Sequence, residues 1–231
     1  MNSAVTALGR QREPLARILP FALYIGFLAA TPLIADALPG IDRRWLYAVQ
    51  IVAVLLALGY FARHYVELRH AEPLSATQWL AGVATGVAVF LLWIQLDLPW
   101  AMLGDGTGPG FDPRTADGAI DWPLAAVRLF GAAAVVPVME ELFWRSFVMR
   151  WVDRADFLHL APAAIGLRAL AISSIVFGIE HDLWLAGIVA GLAYGWLYMR
   201  SGSLWLPILA HAVTNLLLGI WVLATGNWQF W

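Results

Sequence analysis

The sequence predicts an all-α, polytopic membrane helix bundle of about seven transmembrane helices, an expectation carried by three observations. Hydrophobic residues make up 61% of the 231 and charged residues only 13%, with a mean hydropathy of +0.72, well outside the range of soluble globular domains. Apolar runs close to the roughly 20 residues that span a bilayer recur along the chain. Tryptophans such as Trp45, Trp79, Trp122 and Trp205 gather where these runs end, as an interfacial aromatic belt does.

The first apolar run, 18–38, follows Arg10, Arg12 and Arg17. Its end, "ADA", resembles a signal-peptide cleavage site, but the run exceeds the roughly 7 to 15 apolar residues of such a peptide, so a retained first helix is expected. Runs over 45–62 and 78–96 give the second and third spans. The connection 97–122 carries five Asp, one Arg and several Gly and Pro, the composition of a solvated loop. Further spans are expected over 124–151, 165–182, 183–200 and 204–224. In the sixth, Gly187, Gly191 and Gly195 have the small-xxx-small spacing of close helix packing. No internal repeat is visible, and the chain divides into N-terminal helices with the acidic loop (1–122), a helix core (123–225) and a short tail (226–231).

Arginines set the expected orientation, because cytoplasmic loops retain them. The N-terminal segment, the 63–77 loop, the 152–164 loop with its flanking Arg150 and Arg168, and Arg200 all fall on one side. That side is expected to be cytoplasmic, with the N-terminus on it, in a bacterial inner membrane; Arg43 and Arg44, on the opposite side, disagree with the rule. All basic residues are arginine, the net charge is -2 and no basic run exists, which argues against a nucleic-acid partner. With no cysteine, thiolate chemistry and Cys-ligated zinc are excluded.

Ionisable side chains inside spans cost about 2.5–3.5 kcal/mol each on insertion scales and so mark functional sites by default. In the fourth span, "EELFWR" puts Glu140 about 18 Å from Arg128 and about 15 Å from Arg150 along the helix, near mid-membrane. Glu141 and Arg145, at i and i+4, share a face and can pair, which leaves Glu140 free for another partner. In the fifth span, "FGIEH" places His181 about 20 Å along the helix from Arg168. In the seventh, "HAVTN" stacks His211 and Asn215 on one face. A carboxylate and an imidazole can share the proton taken from a water, while a second imidazole and a carboxamide can donate to a developing oxyanion.

These three motifs, EExxxR, FxxxH and HxxxN, in this order and on successive spans, resemble those of the CPBP family, the Rce1-like or type II CAAX prenyl endopeptidases of glutamic intramembrane type. The resemblance covers about residues 123–225 and implies an intramembrane endopeptidase acting on a membrane-anchored protein or peptide. It implies that Glu140 and His181 activate water, that His211 and Asn215 form the oxyanion hole, that Glu141 and Arg145 support the site, and that no metal is required. The C-terminal pattern also resembles a bacterial subgroup associated with exosortase systems. The chain departs from the family in having seven expected spans where the prenyl endopeptidases resemble eight-span proteins, and in the carboxylates Glu180 and Asp182 that flank His181.

Two rivals stand beside this reading. Glu140, His181 and His211 are adequate zinc ligands, although no HExxH is present. A non-catalytic binding or transport protein could line a path with buried charges, but neither matched halves nor broken helices are visible. The blander expectations are that Glu141 and Arg145 form a structural ion pair, that His64, His70 and His159 are solvated, that Arg128 snorkels to the outer interface, and that Ser173 and Ser174 lack a base.

Overall fold

The computed structural model describes residues 2–69, 72–104 and 110–231, with side chains from residue 12 onward. His70, the side chain of Arg10 and the centre of the acidic loop lie outside the described residues. Helices occupy all seven expected positions: α1 Asn2–Ala37, α2 Leu46–Tyr60, α3 Ala76–Trp93, α4 Trp122–Asp153, α5 Leu167–Ile179, α6 Trp184–Ser201 and α7 Trp205–Thr225. No strand occurs among the described residues, only one isolated bridge between Arg114 and Ile120. By length and composition α1, α3, α4 and α7 are apolar enough to cross a membrane. With 15 and 13 residues, α2 and α5 rise only about 22 and 20 Å.

Local signals fix the ends. Ser75 and Gln78 form a reciprocal capping box at the start of α3, and Asp121 accepts from the Leu124 amide at the start of α4. Gly202 and Gly226, with φ of 71° and 73°, close α6 and α7 in the left-handed conformation that only glycine adopts without strain.

The two ends of the bundle differ in construction. At the arginine-rich end, Arg17 is fully buried and donates to Glu67 at 2.9 and 2.7 Å, to the His64 carbonyl at 3.0 Å and to Glu13; the Ser146 hydroxyl also donates to Glu67. Arg150 donates to the carbonyls of Leu158 and Leu160. His64, expected to be solvated, instead pairs with Glu13 at 2.9 Å and is half-buried, because the Arg17 cluster draws it inward; His159 is exposed as expected and pairs with Asp156. At the opposite end, Arg44 is held by Asp42 and donates to the carbonyls of Asp112 and Arg114. This binds the acidic loop to the start of α2, and the Phe111 amide donates to the Trp231 carbonyl.

α5 and α6 form an antiparallel hairpin whose small residues permit backbone contact. A Cβ added at Gly191 would lie 2.9 Å from the Cα of Ser174, and one at Gly187 2.8 Å from the Cα of Gly178. Such close approach is how membrane helices gain packing without a hydrophobic driving force. It holds the C-terminal end of α5, just before the turn that carries His181, against the core.

Removing one partner of a buried ion pair leaves the other charge uncompensated. Arg17→Leu is therefore expected to destabilise the protein by about 3–5 kcal/mol, lowering the melting temperature in detergent, and the double change with Glu67→Gln should recover part of the loss. Unchanged melting of the single variant would refute this account of the arginine-rich end.

Candidate active site

The site is built on α4, and α4 is not a regular helix. Two π-helical stretches interrupt it, Gly131–Val135 and Leu142–Val148. Pro137 explains the first. In π register the carbonyl of residue 132 would accept from residue 137, which as proline has no N–H. That carbonyl is met instead by Asn215, whose Nδ2 donates to Ala132 O at 2.8 Å. A side chain on α7 thus satisfies backbone that the proline frees in α4, as buried non-helical backbone at membrane depth requires.

The second π stretch begins just after the two glutamates. Glu141 is fully buried and lies between two cationic or potentially cationic groups: Arg145 Nε at 3.1 Å and His211 Nδ1 at 2.9 Å. The Arg145 guanidinium packs over the rings of Phe177 at 4.4 Å and Tyr194 at 5.4 Å, a cation–π arrangement suited to a buried arginine. Because a carboxylate accepts, His211 donates from Nδ1, which turns its Nε2 toward Glu140. Tyr194 stacks on the His211 ring, 5.1 Å between centroids and 19° between planes. The Tyr194 hydroxyl donates to Thr214 at 2.7 Å, and Thr214 in turn donates to the Gly86 carbonyl on α3.

Glu140 is 6% exposed. Its Oε2 makes no hydrogen bond with the protein and lies 4.0 Å from His211 Nε2. His181 donates from Nδ1 to the Phe177 carbonyl at 2.8 Å, which leaves Nε2 of the neutral ring with its lone pair free. Trp93 meets the His181 ring edge-on at 5.4 Å.

Glu140, His181, His211 and Asn215 line one cavity of about 180 Å³. Its walls continue to Tyr24, Arg128 and Trp231, residues of the end that carries the acidic loop. No lining residue comes from the arginine-rich end. Glu141 and Arg145 lie behind the wall. The expected convergence of His211 and Asn215 on one point is modified: both reach the cavity, but His211 is anchored to Glu141 and Asn215 to the α4 backbone. Arg128, expected to snorkel outward, instead turns inward over the rings of Tyr47 and Phe111, because α2 and the folded-back loop supply aromatic faces there.

Several participants were given no role in the site from sequence. Glu180 accepts from the Trp144 indole at 3.0 Å and has a carboxylate oxygen within 4.8 Å of ligand atoms of Glu140 and His181. Among the described residues this trio, rather than Glu140, His181 and His211, is the group spaced to hold a metal ion. The only sequence signal for Glu180 was its position beside His181. Phe230 and Trp231, in the tail, complete the cavity wall; tail aromatics carried no signal, since nothing local says where a tail folds.

Comparison with known proteins agrees with this region of the chain. The family profile of the Rce1-like type II CAAX prenyl endopeptidases matches residues 122–217. YdiL of Bacillus subtilis (strain 168), named as a proposed membrane peptidase, is 27% identical over 113 residues, 47% of this chain and 43% of its own length. The chain thus spans less than half of that relative's length in the match. No solved structure matches. Residues 122–217, which include Glu140, His181 and His211, are thus similar to the Rce1-like type II CAAX prenyl endopeptidase family.

Proposed function

We propose that this chain is a multi-pass intramembrane endopeptidase of glutamic type, hydrolysing a peptide bond in a membrane-associated or lipid-anchored substrate. The observation that carries the reading is Glu140: a buried carboxylate with an oxygen free of protein hydrogen bonds, in a cavity it shares with two imidazoles. A water beside Glu140 gives up its proton to the carboxylate as it attacks the scissile carbonyl, with the free Nε2 of His181 supporting that transfer, and Glu140 then passes the proton to the departing amine as the C–N bond breaks. His211, held through Nδ1 by Glu141, presents Nε2 to the oxyanion, joined by the second amide N–H of Asn215. Glu141 and Arg145 act as positioning residues that fix the His211 ring.

The family match and the related membrane peptidase support the reaction class, and the arginine asymmetry supports a bacterial inner membrane location with the N-terminus in the cytoplasm. Incubating the protein with membrane-tethered peptides and reading products by mass spectrometry tests the proposal. Wild type is expected to release fragments that Glu140→Ala does not, and equal product from both would remove the proteolytic reading along with the catalytic residue.

Glu140→Gln, His181→Ala and His211→Ala are each expected to lower turnover at least a hundredfold while the protein still inserts and purifies. Combining them should cost little more, since groups acting as a unit are non-additive. An additive triple variant would show that the three act separately.

A zinc-assisted reading draws on the spacing of Glu140, Glu180 and His181. Under the glutamic mechanism, purified active protein should carry well under one zinc per chain and keep its rate in chelator. Stoichiometric zinc, with activity restored only by adding it back, would transfer the mechanism to the metal.

The same orientation makes a topological prediction. Asp182 is exposed beside His181 and lines a depression with Asp97 and Leu103 at the acidic-loop end. Cysteine placed at Asp182 in this cysteine-free chain should react with a membrane-impermeant maleimide added outside intact cells. Labelling only after the cytoplasmic face is opened would invert the orientation.

A further inference from the structure

Beside the site cavity lies a second one of about 400 Å³, and Arg128 and Trp231 line both. Arg43, Arg44, Tyr47 and Phe111 complete its relevant walls. Three residues that line the second cavity each carry a buried hydrogen-bond donor that meets no acceptor of the protein: Tyr47 Oη, Arg128 Nε and Trp231 Nε1. They cluster around one ring. The Arg128 guanidinium is 5.2 Å from the Phe111 centroid and 4.5 Å from that of Tyr47, and Tyr47 and Trp231 lie 6.0 and 6.1 Å from Phe111. Buried donors are almost always satisfied, so three together without an acceptor point to an acceptor that binds.

The charge balance identifies its sign. Arg44 is committed to Asp42 and to loop carbonyls. Asp112, the one acidic residue on the wall, is bound by Arg114. Arg43 and Arg128 have no ion-pair partner among the described residues. Arg43 and Arg44 are also the arginines that the orientation rule leaves unexplained, sitting at the end where arginine is normally depleted. A cationic wall whose residues carry unmet donors suits an anion, and a carboxylate, with two oxygens accepting in a plane, suits a guanidinium with neighbouring hydroxyl and indole donors.

We infer that Tyr47, Arg128 and Trp231 form an anion-binding subsite, rimmed by Arg43, that takes a carboxylate of the substrate chain. Arg128 precedes Glu140 by about 18 Å of helix, and an extended chain covers about 3.3–3.6 Å per residue, so the bound carboxylate lies on the order of five residues from the scissile bond. The subsite therefore selects and positions substrate without touching the reacting atoms. It rests on the peptidase reading for its purpose but not for its existence.

The test measures binding, not turnover, on the full chain in an uncharged maltoside detergent. The probes are N-dodecanoylglycine and its amide, which differ in the carboxylate alone, with affinities read by thermophoresis. The acid is expected to bind about tenfold or more tightly than the amide, the range of a charge-assisted hydrogen bond. Arg128→Gln should abolish that preference. Tyr47→Phe, which removes only a hydroxyl, should reduce it severalfold without altering the melting temperature. Dihexanoylphosphatidylglycerol should bind more weakly than the acid. Equal binding of acid and amide, or a preference that survives Arg128→Gln, overturns the assignment. Tighter binding of the phosphatidylglycerol also overturns it, by giving the subsite to a lipid headgroup. A protein that shows the carboxylate preference but cleaves no peptide would overturn the peptidase reading and leave the subsite standing.

Discussion

The site depends on how the Glu141 charge is held inside a bundle that excludes water. An isolated carboxylate in such surroundings costs several kcal/mol, and only close partners with good geometry offset that cost. Glu141 has two, Arg145 one helical turn away and His211 on a different helix. The first contact is local and needs only the i, i+4 spacing. The second is tertiary and ties α4 to α7, so the depth and rotation of α7 relative to α4 are set by where a single carboxylate finds its proton donor. With the cation Arg145 and the His211 Nδ1–H both taken by Glu141, Glu140 has no cation of its own and, unlike Glu141, faces the cavity. Adjacent identical residues thus take opposite roles because a helix turns about 100° between them.

A second tie between the same helices comes from a defect. Pro137 removes a donor that the preceding π turn would use, and Asn215 fills the gap. The two contacts lie at different heights on α7, His211 and Asn215 being four residues apart, and together they allow neither sliding nor rotation. The cavity keeps its shape because its polar residues are also the bolts between helices. This is the reason a motif with imidazole and carboxamide at i, i+4 on α7 is matched to one with paired glutamates on α4: each half leaves groups that only the other satisfies.

The sequence made the spans legible because a bilayer demands about 20 apolar residues in a row, a signal that needs no tertiary knowledge. It also made Glu140, Glu141, Arg145, His181, His211 and Asn215 conspicuous, since ionisable and amide groups in such runs are costly. What it could not convey was pairing across helices. His211 bonding to Glu141, Asn215 turning to the α4 backbone and His64 joining Glu13 all depend on interhelical rotation, which hydropathy does not encode. The proline was readable, but the π turns it accompanies were not, because i→i+5 bonding leaves no compositional trace. Arg128 was misplaced for a related reason: snorkelling is the default for an arginine near a span end, and it fails where α2 and a distant loop bring Tyr47 and Phe111 over the guanidinium.

The bundle's two ends divide stability from access. At the arginine-rich end, a fully buried guanidinium gathers Glu13, Glu67, Ser146 and the His64 carbonyl, and the helices there are closed against one another. At the other end α5 stops after 13 residues, short of the membrane thickness, and its last turn hands over to Glu180, His181 and Asp182. Polar backbone and ionisable groups at that depth have to line protein or water, so the shortness of α5 itself creates the hollow beside which Glu140 sits. The described parts of the acidic loop and the tail then meet over this hollow, through the edge-to-face contact of Phe111 with Trp231 and the Phe111 amide on the Trp231 carbonyl. A longer α5 would carry His181 out of reach of Glu140 and fill the hollow with helix. The residues that could activate water are therefore confined to the end where the bundle is incomplete.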